Sequence, residues 1–135
     1  MFQKINITGT ELFGTIVKQS GNFDVNEAVG TVTTNQLSIL DATGQEHTLI
    51  LNYTKTAANT YELNYDITDT NGVSVYTSPP ASKEIIFNAS TGKIQSIDGN
   101  DPAAFGVSVP GKKISFTFDP MSLKVSDASS SISVS

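Results

Sequence analysis

The sequence predicts an all-β fold, an antiparallel β-sandwich or distorted β-barrel of about eight to ten short strands. Three observations carry this. Apolar and polar residues alternate with a period of two through most of the chain, and helical periodicity is nearly absent. Clusters of Asp, Asn, Ser and Gly interrupt the alternation every ~8–12 residues, the spacing of turns in sandwiches and barrels. Serine and threonine supply 16 residues each, 32 of 135, which suits strands and exposed sheet faces better than helices. The length fits one domain spanning 1–135, which buries roughly two-thirds of its unfolded surface without covalent staples.

The elements follow in order. Residues 2–8 and 11–18 alternate and are the first candidate strands, with a turn expected at Ser20-Gly21-Asn22. Residues 30–40 form the next strand, closed by the turn from Asp41 to Gly44. Residues 47–54 put Leu49, Leu51 and Tyr53 on one face, and the short link 55–60 makes a hairpin with 61–68. That second strand is the most regular: Tyr61, Leu63, Tyr65 and Ile67 point in, Glu62, Asn64, Asp66 and Thr68 out. Further strands are expected at 72–77, 83–88, 93–98, 113–118 and 122–126, with turns at 69–72, 90–92 and 98–100. Pro79 and Pro80 mark an exposed connection, 101–105 a single helical turn, and 126–135 a final edge strand or fraying linker.

Composition removes several classes of function. The eight cations are all lysine against 13 acids, a net charge of −5, and a chain without arginine lacks the side chain that best grips phosphate and guanine. Neither nucleic acid nor an anionic membrane is an expected partner. No stretch approaches the ~18 apolar residues of a membrane-spanning helix, and the N-terminus lacks the apolar core of a signal peptide. With no cysteine and one histidine, His47, the usual zinc sets cannot form, and no metal or cofactor is expected.

Catalytic motifs fare no better. His47 has no serine on a Gly-x-Ser-x-Gly elbow to serve and reads as a strand residue beside a turn. Ser90 and Lys93 match Ser-x-x-Lys, but the glycine between them places them in a turn, where the lysine does not return to the serine. Residues 67–78 resemble a calcium loop only in part, with Ile67 at the first ligand position and Ser78 at the last. Asp98, Asn100 and Asp101 read as turn chemistry before an oxygen site. Most aromatic residues fall on inward parities; Tyr76 and Phe105 are the two expected to be exposed. The chain therefore reads as a non-enzyme.

Three motifs in the centre carry a resemblance. They are 37–49, with Asp41, Gly44, His47 and Leu49 in an Asp-x-x-Gly-x-x-His-x-Leu pattern; the aromatic-rich strand 59–65; and 87–94, with Phe87 and Gly92 in a hairpin. In order and spacing, residues 31–97 resemble the outer β-domain of bacterial flagellar hook proteins and related axial proteins. Thr43 stands where the family commonly has Leu, and Asn88 where Asp is more usual.

The resemblance implies a structural component of the flagellar hook, outside the cell, whose outer domain touches copies of itself in a bendable tube. It also implies export through the flagellar apparatus and an excised domain, since the helical ends that polymerise hook proteins are missing; alone, such a domain is expected to be a monomer. Asp41, Gly44 and His47 are expected to shape the first turn, with Leu49 in the core, Phe87 anchoring the second hairpin and Gly92 turning it. A secreted or cell-surface sandwich that binds a glycan or protein is the rival reading, with a phage or secretion-tube component beside it.

Overall fold

The computed structural model describes residues 16–78 and 80–134. The candidate strand at 2–8, most of the one at 11–18, and Pro79 lie outside these residues. Nine strands are described: β1 (Ile16–Asp24), β2 (Val32–Leu40), β3 (Glu46–Ala57), β4 (Thr60–Thr68), β5 (Lys83–Phe87), β6 (Ile94–Ile97), β7 (Phe105–Val109), β8 (Ile114–Ser126) and β9 (Ser131–Val134). A 3-10 turn, Pro110–Lys112, joins β7 to β8. Two sheets pack face to face as a sandwich, one of five strands ordered β2-β3-β4-β5-β6, the other of four ordered β9-β1-β8-β7. The sandwich reading holds and the barrel reading does not.

The five-stranded sheet is one uninterrupted antiparallel meander, the arrangement strict alternation favours. In β3 the inward residues His47, Leu49, Leu51, Tyr53 and Lys55 are buried, alternating with more exposed neighbours. Asn59, with φ of 56°, turns the β3–β4 hairpin, a left-handed conformation that asparagine tolerates well. The four-stranded sheet is put together from distant segments. β1 lies between β9, antiparallel to it, and β8, parallel to it. That parallel pair is invisible to alternation, which reports faces and not partners.

Phe23 of β1 joins the two layers. Its ring stacks on Tyr61 at 4.3 Å between centroids and meets Tyr53 at 5.3 Å and Phe87 at 6.0 Å. All four rings are buried. Each such side chain contributes about 1.5–3 kcal/mol of transfer free energy, and aromatic contacts add to that.

Four segments differ from the sequence expectation. Ser20-Gly21-Asn22 is the middle of β1 and not a turn. Gly21, with φ of 123°, is there because a Cβ would stand 2.3 Å from the Ser131 carbonyl oxygen of β9; the glycine marks close backbone approach. Residues 72–77 form no strand beyond a single bridge between Thr68 and Ser74. Residues 101–104 carry no helical turn, and Phe105 begins β7.

Finally, the strands expected at 113–118 and 122–126 are one, running through Pro120. A bulge permits this: Lys18 pairs with Asp119 and Ser20 with Ser122, so Pro120 and Met121 together face Gln19. Proline, lacking an N–H, fits where the ladder is interrupted.

Candidate functional site

The Asp41 turn is built by one carboxylate. Asp41 Oδ1 accepts from the Thr43 N–H at 2.9 Å, the Thr43 hydroxyl at 2.6 Å and the Gln45 N–H at 3.0 Å, while Gly44 N–H returns to the Asp41 carbonyl. Gly44 has φ of 86° with open space around it. Oδ2 meets His47 Nε2 at 2.9 Å, and both side chains are buried. Burial by itself would raise the Asp41 pKa, but the hydrogen bonds from Thr43, His47 and Gln45 outweigh it and hold the group at about 2. The turn also reaches the other layer, since Ala42 N–H donates to the Lys113 carbonyl oxygen at 2.9 Å.

The same turn occurs twice. Asp69 Oδ1 accepts from Asn71 and Val73 N–H, Asp69 N–H donates to the Val73 carbonyl oxygen, and Gly72 N–H returns to the Asp69 carbonyl. Asp69 has no histidine on its second oxygen. Its pKa is lowered, chiefly by those backbone donors.

Phe87 is buried at the end of β5, and the hairpin after it is drawn together by Asn88. Its Oδ1 accepts from Ser90 and Thr91 N–H, and Gly92 N–H donates to its carbonyl oxygen. Gly92 has φ of 76° and stands against β8, where a Cβ would be 2.6 Å from the Val125 carbonyl oxygen. Val125 N–H donates to Gly92 O at 2.9 Å, so this hairpin too crosses between the layers. Leu49 is buried in β3. The six residues thus fall into two groups, Asp41, Gly44, His47 and Leu49 in one, Phe87 and Gly92 in the other.

Two buried polar nodes were not read from the sequence. Gln19, facing the β8 bulge, donates from Nε2 to Asn35 Oδ1 at 2.7 Å and to the Ser133 carbonyl, and its Oε1 accepts from the Tyr53 hydroxyl at 3.0 Å. Lys55 Nζ donates to the carbonyl oxygens of Val25 at 2.9 Å and Glu27 at 2.8 Å, which ties the β1–β2 connection to β3. The Lys55 node was discoverable in principle: its parity is inward, so a charged residue there required partners.

Chemically, these groups hold turns and layers together. Two shallow clefts of about 360 and 320 Å³ lie beside the turns, one lined by Glu46, His47 and Asp69, the other by Asn52, Asn64, Tyr65 and Tyr76. In the second, the Ser74 hydroxyl donates to Asp66 Oδ1 at 2.6 Å, and Asp66 Oδ1 also accepts from the Ile67 N–H at 2.8 Å, which fastens residue 74 to β4. Tyr65, expected in the core, is half-buried and meets the half-buried Tyr76 edge-on at 6.4 Å. Phe105, expected to be exposed, is half-buried against Phe118. Among the described residues no three His, Asp or Glu side chains group as a metal site, and no helix is long and apolar enough to cross a membrane.

The fold is a two-layer β-module whose buried polar groups lie in turns and interlayer ties, and whose large sheet carries Thr, Asn and Gln outward beside the exposed Val32 and Leu40. The particular kind is given by comparison. Residues 6–135 match the family model described as the flagellar basal body protein FlaE D2 domain, and the chain belongs to that family. The crystal structure of the Helicobacter pylori flagellar hook protein FlgE2 is similar in fold, with a TM-score of 0.59 at 19% identity. The similarity covers 77% of this chain and 24% of that one, so the chain spans about a quarter of the length of that hook protein. No curated protein matches the chain in sequence.

Proposed function

We propose that this chain is a structural domain of the bacterial flagellar hook, standing outside the cell and touching copies of itself in a bendable tube, with no catalytic role. Membership of the D2 family over nearly its whole length is the observation that carries the reading. The chemistry of the surface agrees. The outward face of the large sheet presents Thr34, Gln36, Thr48, Asn52 and Asn64. Such a face favours weak, water-bridged contacts that shift as a tube flexes.

Asp41, Gly44, His47 and Leu49, with Phe87 and Gly92, serve this function by shape. They fix turns that bind one sheet to the other, so that the domain moves as a rigid body. The domain is read as part of a longer chain whose other segments polymerise the tube, and as a monomer by itself. Mass spectrometry of purified hook–basal bodies from the source cells tests the proposal. Peptides of this chain should be found in the hook fraction at the stoichiometry of its principal protein; their absence would contradict the reading.

A further inference from the structure

We propose that copies of this chain meet head to tail, with Glu62 and Glu84 of one copy set against Lys93 and Lys124 of the next. The proposal rests on the hook reading and supplies the surfaces that reading leaves open. Two cross-strand pairs carry it, each of like charge.

Glu62 and Glu84 are register partners in the β4–β5 ladder. Their parity is outward, between the buried Tyr61 and Leu63 on one strand and next to the buried Ile85 on the other. Like charges directly opposite in a ladder oppose its formation. Among the described residues neither glutamate is in an ion pair. Glu62 Oε1 accepts only from Asn64 Nδ2, at 3.3 Å. The neighbouring Lys83 is directed elsewhere, 3.7 Å from Asp98 Oδ2 and 4.6 Å above the Phe105 ring.

Lys93 and Lys124 form the opposite case. They are partners across an isolated bridge where the start of β6 meets β8, and both are exposed. Neither is in an ion pair among the described residues. The Val125 N–H bond to Gly92 O, with no room for a Cβ at Gly92, holds the two lysines in this register. Each pair therefore carries a repulsion within the chain, and each presents what the other lacks.

The two pairs lie on different parts of the surface, one on the outward face of the large sheet, the other at the sandwich edge. Where the two patches of one copy are met by two different neighbours, the contact is heterologous: it repeats from copy to copy and builds a ring or helix, whereas a two-fold arrangement would close both patches between one pair of copies. Exposed ion pairs are individually weak and are screened by salt, which suits contacts that must yield.

The absence of cysteine makes the test direct. Asn64→Cys places a thiol on the acidic face and Ser122→Cys places one beside Lys124, with all four charges kept. The two chains are mixed and oxidised at low salt. The expected result is a mixed disulfide at least tenfold in excess of either same-site dimer, falling toward the random ratio in 1 M salt. Reversal of the acidic pair (Glu62→Lys with Glu84→Lys) should abolish the excess, and Lys93→Glu with Lys124→Glu on the other chain should restore it. A random ratio, same-site dimers in excess, no restoration, or a chain carrying both cysteines that stops at a doubly crosslinked dimer in place of a ladder of oligomers would overturn the proposal. Immunogold location of the chain is read separately. Random crosslinks in a chain located in the hook leave the hook reading standing, whereas location elsewhere removes that reading whatever the crosslinks show.

Discussion

The two sheets of this sandwich are made differently. The five-stranded sheet is a meander in which each strand pairs with the next in sequence, from Val32 to Ile97. The four-stranded sheet brings Ile16–Asp24 between Ser131–Val134 and Ile114–Ser126, segments about a hundred residues apart in the chain. Local pairing closes short loops, and distant pairing repays its larger loss of chain entropy only once the core is formed. Strand pairing in the large sheet is therefore local, whereas β1 and β9 of the small one depend on Phe23, Gly21 and the interlayer ties for their place.

Removing the Phe23 ring breaks this dependence most severely. Phe23→Ala leaves Tyr53, Tyr61 and Phe87 without the ring that couples the layers, and a loss of about 3–5 kcal/mol is expected in chemical denaturation. Gly21→Val comes next. A Cβ 2.3 Å from Ser131 O and 2.7 Å from Ile132 Cα pushes β9 off its neighbour, at an expected cost of about 3 kcal/mol. Hydrogen exchange on that variant should rise in β1 and β9 and stay near the wild-type level in β3 and β4. An equal rise in both sheets would contradict the division.

Acid sharpens the comparison of the twin turns. Asp41 has a pKa of about 2 in the folded chain against an ordinary 3.8. Its stabilisation is complete above the unfolded value and is lost as pH falls through the folded one, amounting to about 2 kcal/mol at neutral pH. The stability gap between wild type and Asp41→Asn should thus be constant above about pH 5 and close toward pH 2. A gap independent of pH would remove the assignment to the carboxylate. Asp69 makes the same backbone bonds in an exposed turn, and Asp69→Asn should have a smaller effect at every pH.

The smallest effect separates two turn glycines. Gly44→Val meets open space and is expected to cost about 1 kcal/mol, the strain of a positive φ alone. Gly92→Val meets the Val125 carbonyl as well and should cost clearly more. Equal melting temperatures for the two variants would mean that the β8 contact carries no weight.

What was legible in the sequence divides along the same line. The resemblance read across residues 31–97 covers the large sheet, where alternation, Asp–Gly turns and neighbour pairing act over short distances. The small sheet was hidden because its signals have second meanings. Gly21 reads as a turn residue until the backbone of β9 is seen against it, and 113–118 and 122–126 read as two strands until the bulge opposite Gln19 is seen. Glu62 was plain as outward charge, but that Glu84 faces it depends on register, which alternation does not set.

That this chain stands in the flagellar hook is open to immunogold electron microscopy of the source cells with antibody raised against it. Gold should be confined to the short curved segment between filament and cell body. Gold spread over the cell envelope, or along the filament, would contradict it.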